Sequence, residues 1–346
     1  MNTCGYEDSN VVDITVSAFH VGGRGGLGPT MVLLKLGESL SLTIFEANIE
    51  DSAGETTMHD FENLVKEYSR RYNVKLTIIP QCLSNCIGKK KFNVNVMPDC
   101  SSLLEMSPDA AKYQRMSGQG RIPWGQICRP TRTIELDVST LDELNAKDII
   151  PVPQFLSIDV QGAEYDVLEG ASKALYGDLL GVVSEVEFRP LYDGQKLFVD
   201  QYALLNRHRF DLFELYNIEY WFSGPIIDKG ALMVAEALFL RNFRYFVEKY
   251  NKRPELLLLN LAKLAVVATC FERSSYAFEI VDYIMSNWPN EWNIFVRQNQ
   301  CRYLNFLGEF YIKAKAVEQR ERHQVPTYVE LMANKVPTQF VSCAST

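Results

Sequence analysis

Positive charge is scarce in this chain: 35 lysines and arginines stand against 43 aspartates and glutamates, a formal charge of −8 over 346 residues. Apart from Lys89, Lys90 and Lys91 there is no basic stripe. The electrostatic footprint that phosphate-backbone binding requires is therefore missing, and no nucleic-acid partner is expected. Histidine is rarer still, with four copies, and none of the eight cysteines forms a C-x-x-C pair. That leaves no zinc-ligand spacing and no disulfide framework to build on, so the cysteines read as reduced and mostly buried. The opening residues MNTCGYEDSN lack the basic and apolar segments of a secretory leader. The longest apolar stretch, residues 256–271, is interrupted by Asn260 and Lys263 and falls short of the roughly 20 residues a bilayer needs. The expectation is a soluble, cytoplasmic protein with no membrane partner.

What the chain has is a large apolar fraction, 47%, with 12% aromatic residues. That is enough for a sizeable core and excludes disorder as the main description. Residues 11–19 are β-rich and run into five glycines between Gly22 and Gly28. An apolar helical stretch follows at 31–36, with Gly37 in the place of a helix-terminating residue, and then a second strand ending at Glu46. The alternation continues with a helix around Val65 and Tyr68, strands at 74–80, 154–160 and 181–188, and a helix at 198–208. Residues 209–217 and 231–240 read as a closing antiparallel pair. Such alternation predicts an α/β fold with a parallel sheet covered on both faces. Residues 105–130 have no clean period and read as a functional or disordered loop, with Trp124 as its anchor or as a lid contact. Beyond Arg241 only helical periods remain, which places a boundary at 242. Residues 1–242 form the expected main domain, and 243–346 a helical extension that packs on it or mediates self-association.

The segment Gly23-Arg24-Gly25-Gly26-Leu27-Gly28 fits G-x-G-x-x-G between a strand and a helix, and Glu46 lies 18 residues further on. Bare backbone lets the chain turn tightly with N–H groups facing a ligand, and a carboxylate after the second strand can accept from both ribose hydroxyls. This pattern suits an adenosine-containing cofactor without choosing between NAD and S-adenosylmethionine. Asp159 closes the buried strand FLSID, where open α/β sheets bind ligands. It could equally cap the helix that starts near Ala163.

With LSIDVQGAEYDVLEGA at 156–171, VVSEVEFRPLYDGQKLFVDQYALLNRHRFDLFEL from 182 and ALFLRN at 237–242, the chain is similar to the FkbM family of S-adenosylmethionine-dependent methyltransferases. TIFEANIED, QCLSNCIG and IELDVSTLDEL resemble that family's upstream motifs, so the resemblance covers roughly residues 11–242. It implies a Rossmann-like class I methyltransferase fold, with a seven-stranded, mostly parallel sheet and a closing antiparallel pair. It further implies that Gly22, Gly23 and Gly25 line the methionine moiety, that Glu46 binds the ribose, that Ser84 and Asn85 border the adenine, and that Asp159 faces the methionine ammonium or the reacting centre. Where methyltransferases of this fold carry an acid at the end of the first strand, this chain has Phe19-His20, and Asp13 or Asp159 would have to replace it.

Methyl transfer from a sulfonium mainly needs alignment of the acceptor, and a base when the acceptor is a hydroxyl. Asp159, Glu164, Glu185, Glu187 and His208 stand near the same lip, and Glu185 and Glu187 share one face of a strand. Asp159 and Glu187 are the expected catalytic pair. Two such carboxylates with Asp159 could raise one another's pKa or hold a divalent cation; alternatively Glu187 forms an ordinary ion pair with Arg189 or Arg209. His208, at a helix end, reads as a dipole partner, and His20 as a buried histidine or a cofactor contact. The resemblance implies O-methylation of a sugar or natural-product-like hydroxyl, hence a small-molecule or glycan acceptor. The alternatives are an NAD-dependent oxidoreductase and a non-catalytic adaptor working through the helical tail.

Overall fold

The computed structural model describes residues 14–47, 58–117, 120–299 and 301–324. Seven strands form the main sheet: β1 (Val16–Val21), β2 (Leu40–Phe45), β3 (Lys75–Ile79), β4 (Phe155–Ile158), β5 (Gly181–Glu187), β6 (Phe210–Trp221) and β7 (Ala231–Arg241). Their spatial order is β6-β7-β5-β4-β1-β2-β3. From β3 to β5 all pairings are parallel, while β7 runs antiparallel to both β5 and β6. The middle strands are short and almost wholly apolar because both faces are covered, which suits parallel pairing.

Alternate residues of the strands feed two separate cores. Ala18, Leu40 and Leu42 face one layer, where they meet Leu33 and the helices α1 (Pro254–Cys270) and α2 (Ser274–Asn287) through Leu261, Leu264, Val267 and Ile280. Phe19, Phe45, Leu156 and Val182 face the other, against Leu168, Leu175 and Leu205 of the helices at 164–169, 172–176 and 198–207. The helices beyond 243 thus share one hydrophobic core with the sheet. Helix α1 is apolar nearly all round because it lies inside that core. Its two polar interruptions find partners there: the Lys263 ammonium donates to Thr15 O at 2.8 Å and Gln154 Oε1 at 3.1 Å, and Asn260 Nδ2 donates to Leu256 O at 2.9 Å. Among the described residues no helix is long and apolar enough to cross a membrane.

Three local features depart from the sequence expectations. The segment between β1 and β2 is a 3₁₀ run, Gly28–Ser39, rather than an α-helix, and it breaks at Gly37, whose φ is 57°. Residues 88–95 and 130–139 pair antiparallel in a separate small sheet with Cys82–Leu83, instead of leading straight from the third main strand to the fourth. The irregular stretch 105–130 is ordered among its described residues as a hairpin, Gln114–Ser117 with Gly120–Pro123, followed by a single helical turn at Trp124–Ile127. Isolated bridges Met106↔Tyr192 and Gln114↔Phe222 fasten it to the main body.

Candidate active site

Chain direction through the sheet reverses its lateral course between β1 and β4: β2 and β3 build outward on one side, and β5, β7 and β6 on the other. The carboxyl ends of the strands at such a switch leave a crevice. Gly22 follows β1 there, and its N–H donates to Phe45 O at 2.9 Å, while Asp159 N donates to Val21 O at 2.9 Å. The two segments touch so closely that a Cβ on Gly22, whose φ is +98°, would lie 1.7 Å from the Asp159 carbonyl oxygen. Only glycine fits.

Above this junction opens a cavity of about 610 Å³, within the range of small-molecule sites. Gly22, Arg24, Phe45, Glu46, Cys82 and Leu83 line it on the β1–β2 side. Asp159, Gln161, Glu185 and Glu187 occupy the middle, and Trp124, Leu191, Glu219, Trp221, Val234 and Glu236 the side toward β6 and β7. Glu46 Oε2 accepts the Arg24 N–H at 2.9 Å, which ties the carboxylate after β2 to the glycine-rich turn. Gln161 Nε2 donates to both Asp159 Oδ1 at 2.7 Å and Glu185 Oε2 at 3.0 Å. Glu164, completely buried, takes the N–H groups of Val160 and Gly162 on Oε1 at 2.8 and 3.1 Å.

Crowding of carboxyls out of water raises their proton affinity. Burial, reinforced by the neighbouring Asp159 charge, pushes Glu164 up to about 7, against the pull of its backbone N–H partners. Glu185 is raised well above the usual carboxylate range by burial and by Asp159, and Glu187 by burial and by Glu164. The Cys82 thiol is pushed up to about 12 by burial and by the Glu46 charge. His20 is buried beneath the turn with Nδ1 2.9 Å from Ser157 Oγ. Burial lowers its pKa although Asp159 acts the other way.

The cavity thus brings together Gly22, Glu46, Asp159, Glu185 and Glu187 of the residues picked from sequence. Gly23 and Gly25 sit in the 3₁₀ turn Gly23–Gly25 just beyond Gly22, and Gly23 is not among the described lining residues. Ser84 and Asn85 are not brought to it. Ser84 is fully buried, its N–H bonded to Ser139 O at 2.9 Å and its hydroxyl to Lys90 Nζ at 2.7 Å. Asn85 faces outward to Asp166 and Glu169. The lining falls instead to Gln81, Cys82 and Leu83, because Cys82–Leu83 pairs with the small sheet and turns its end away from the crevice. Asp159 caps no helix: the residue at the cap position of Glu164–Glu169 is Ala163, without a side-chain bond. Among the described residues Glu187 forms no ion pair; Arg209 pairs with Glu248. Asp13 lies outside the described residues.

Sequence reasoning missed the far wall. Trp124 and Trp221 pack at a tilt with ring centroids 4.8 Å apart, Tyr192 meets Trp124 edge-on at 6.1 Å, and Arg115 pairs with Glu219 beside them. The one local signal was Trp124 itself, a large aromatic in a stretch rich in Gly, Pro and Ser. Its partners lie about 70 and 100 residues downstream, and only tertiary structure joins them.

The model of the methyltransferase FkbM domain matches residues 38–212, just over half of the 346. Among solved structures the chain is similar to a methyltransferase FkbM from Methylobacillus flagellatus KT, at 13% identity and a TM-score of 0.35. That similarity covers 65% of this chain and 44% of that one, so the chain spans less than half of its length. No curated protein matches. The matched span carries Glu46, Asp159, Glu185 and Glu187, leaving the glycine turn before it and Glu219, Trp221, Val234 and Glu236 after it. By this match over half of its length, the chain belongs to the FkbM methyltransferase family.

Proposed function

We propose that the chain is an S-adenosylmethionine-dependent methyltransferase acting on a hydroxyl of a small-molecule or glycan acceptor. One observation carries the reading: Gly22, Glu46 and Asp159, contributed by three different strand ends, open into a single cavity. The donor set fits the cofactor. A nucleoside sugar needs an acidic acceptor at the end of the second strand, where Glu46 stands, and a positively charged sulfonium is favoured by the carboxylates in the middle of the cavity. The bound cofactor supplies an electrophilic methyl group.

The chain's own part is alignment and proton handling. The apolar wall of Leu191, Trp221 and Val234 excludes water and holds the acceptor's carbon skeleton, which supplies proximity as the main source of rate. As the acceptor oxygen takes up the methyl group its O–H bond breaks, and the proton passes to a carboxylate. Glu187, 1% exposed and lining the cavity, is the base in this reading, because burial raises its affinity for the proton the acceptor gives up. Asp159 is the counter-charge to the cofactor's positive end. The helices from 243 onward serve as the second layer that holds the β1–β2 side rigid.

Calorimetric titration with S-adenosylhomocysteine tests the cofactor, with NAD as the control. Binding of S-adenosylhomocysteine at one site per chain and no heat from NAD is expected; binding of NAD alone would replace this reading with the oxidoreductase one. Absence of either would leave the adaptor reading. For the base, Glu187→Gln should keep S-adenosylhomocysteine affinity within about twofold while turnover drops by a factor on the order of 10².

A further inference from the structure

The cofactor proposed above carries a carboxylate on its amino-acid end, and the cavity it must enter is rich in carboxylates: Glu46, Asp159, Glu185 and Glu187 all line it. An anion brought among them is repelled at low dielectric unless a cation meets it. Of the described lining residues two are cations, Arg24 and Arg115. Arg115 stands on the far wall, where its guanidinium pairs with Glu219. Arg24 stands on the turn that follows Gly22, so it reaches the cavity from the glycine side, with its backbone N–H fixed on Glu46 Oε2 at 2.9 Å.

A second turn packs against this one. Pro98–Cys100 follows the small-sheet strand 88–95 and brings Asp99 into the cavity lining. Its position is fixed by bonds on both sides. The buried Asn95 Nδ2 donates to Cys100 O at 2.6 Å, and Met97 N donates to Ile127 O at 3.0 Å. Ser102 Oγ donates to Gln161 O at 2.6 Å, which ties the turn to the segment that carries Asp159. Burial raises the proton affinity of Asp99; the Arg24 charge opposes that rise and the Asp159 charge adds to it, so the three charges share one field. The first strand meanwhile ends in Phe19-His20-Val21 and has no acid to offer an ammonium group.

We propose that Arg24 and Asp99 together bind the zwitterionic amino-acid end of the cofactor, Arg24 taking its carboxylate and Asp99, with Asp159, its ammonium. A guanidinium fork matches a carboxylate in shape as well as in charge, which a single N–H of the glycine turn does not. Resting on the methyltransferase reading, this assignment gives the small sheet a purpose: its strand 88–95 leads to the acid that the first strand lacks.

Calorimetry on the full chain with three probes tests the pair: S-adenosylhomocysteine, its decarboxylated form and its deaminated form. The parent should bind S-adenosylhomocysteine roughly ten- to a hundredfold more tightly than the decarboxylated compound, as hydrogen bonds to a charged group allow. Arg24→Gln should weaken S-adenosylhomocysteine by a similar factor and leave the decarboxylated compound unchanged. Asp99→Asn should weaken S-adenosylhomocysteine roughly three- to tenfold, since Asp159 still faces the ammonium, and leave the deaminated compound unchanged. Thermal melting shows that each variant is folded. Should Arg24→Gln fail to fold, Arg24→Lys takes its place; it keeps the charge without the fork and should show the same selectivity at smaller size. A variant that weakens all three ligands alike has only a structural role, and that result overturns the proposal, as does a parent that binds all three equally. If the parent binds S-adenosylhomocysteine and the Arg24 and Asp99 variants bind it as well, the pair falls and the methyltransferase reading stands; if the parent does not bind it, that reading falls first.

Discussion

The two sides of the cavity are built in different ways. On the β1–β2 side each functional group follows directly on a buried strand: Gly22 after Val21, Glu46 after Phe45, Asp159 after Ile158. Their positions are set by backbone register, because the parallel pairs Val21↔Phe45 and Val21↔Ile158 bring the three strand ends level. On the β6–β7 side the wall is made of side chains from four separate segments, including Trp124, Leu191, Trp221 and Val234, brought together by packing and by side-chain bonds such as Trp221 Nε1 to Glu219. The first side can hold only ligands that suit one fixed backbone geometry, as a common cofactor does. The second depends on which side chains are present, so substitution there changes its shape, which suits an acceptor.

The largest effect should come from breaking the packed wall. Trp221 is 2% exposed, against Trp124 and Met233, and Trp221→Ala should cost about 3–5 kcal/mol of stability by emptying that volume. If the two sides are as separate as the geometry says, S-adenosylhomocysteine affinity measured below the lowered melting temperature stays near that of the parent. A loss of affinity matching the loss of stability would show that the sides are one cooperative unit.

Gly22→Ala attacks the other side. With a Cβ 1.7 Å from the Asp159 carbonyl oxygen and φ at +98°, the β1 and β4 ends must part. A penalty of about 3 kcal/mol is expected from strain and overpacking, and here S-adenosylhomocysteine binding should vanish with it. Melting curves and calorimetry on the same variant check both halves of that statement.

The same contrast decides what was legible in the sequence. The main strands and the places of Gly22, Glu46 and Asp159 at strand ends could be read because they follow from local patterns: an apolar run, a glycine turn, an acid at the strand's end. The period-two alternation of Glu185 and Glu187 gave their common face in the same way. Ser84 and Asn85 were misplaced because the short strand Cys82–Leu83 pairs with Pro130–Ser139, a partner some 50 residues away that no local period announces. The order in 105–130 was hidden for a similar reason: its bridges go to Tyr192 and Phe222. The all-round burial of Pro254–Cys270 likewise depends on the sheet beneath it, and Lys263 could enter the core only because Thr15 and Gln154 offer oxygens there.

A milder perturbation separates charge from shape on the β1–β2 side. Glu46→Gln keeps the volume and the ability to accept from the Arg24 N–H, but removes the carboxylate. Hydrogen bonds to a charged group are worth about 1.5–3 kcal/mol, so S-adenosylhomocysteine should bind roughly ten- to a hundredfold more weakly, with little change in melting temperature. Unchanged affinity in calorimetry would remove Glu46 from the cofactor site and leave the glycine turn as its only mark.

The smallest effect reports on that charge from a neighbouring residue. Cys82 lines the cavity, yet its thiol is held near 12 by burial first and by the Glu46 carboxylate second, whereas Cys86 is exposed. Thiolate is the reactive form, so at pH 8 a maleimide should label Cys86 and spare Cys82, as read by peptide mapping. Raising the pH toward 10 should leave Cys82 slow, because it remains mostly protonated. Removing a negative neighbour lowers a thiol pKa, so in Glu46→Gln the rate at Cys82 should rise while that at Cys86 stays constant. Equal acceleration at both cysteines would mean that the substitution had loosened the β2 end rather than changed its field, and the clean division between a backbone-built side and a packed side would fail at its best-defined residue.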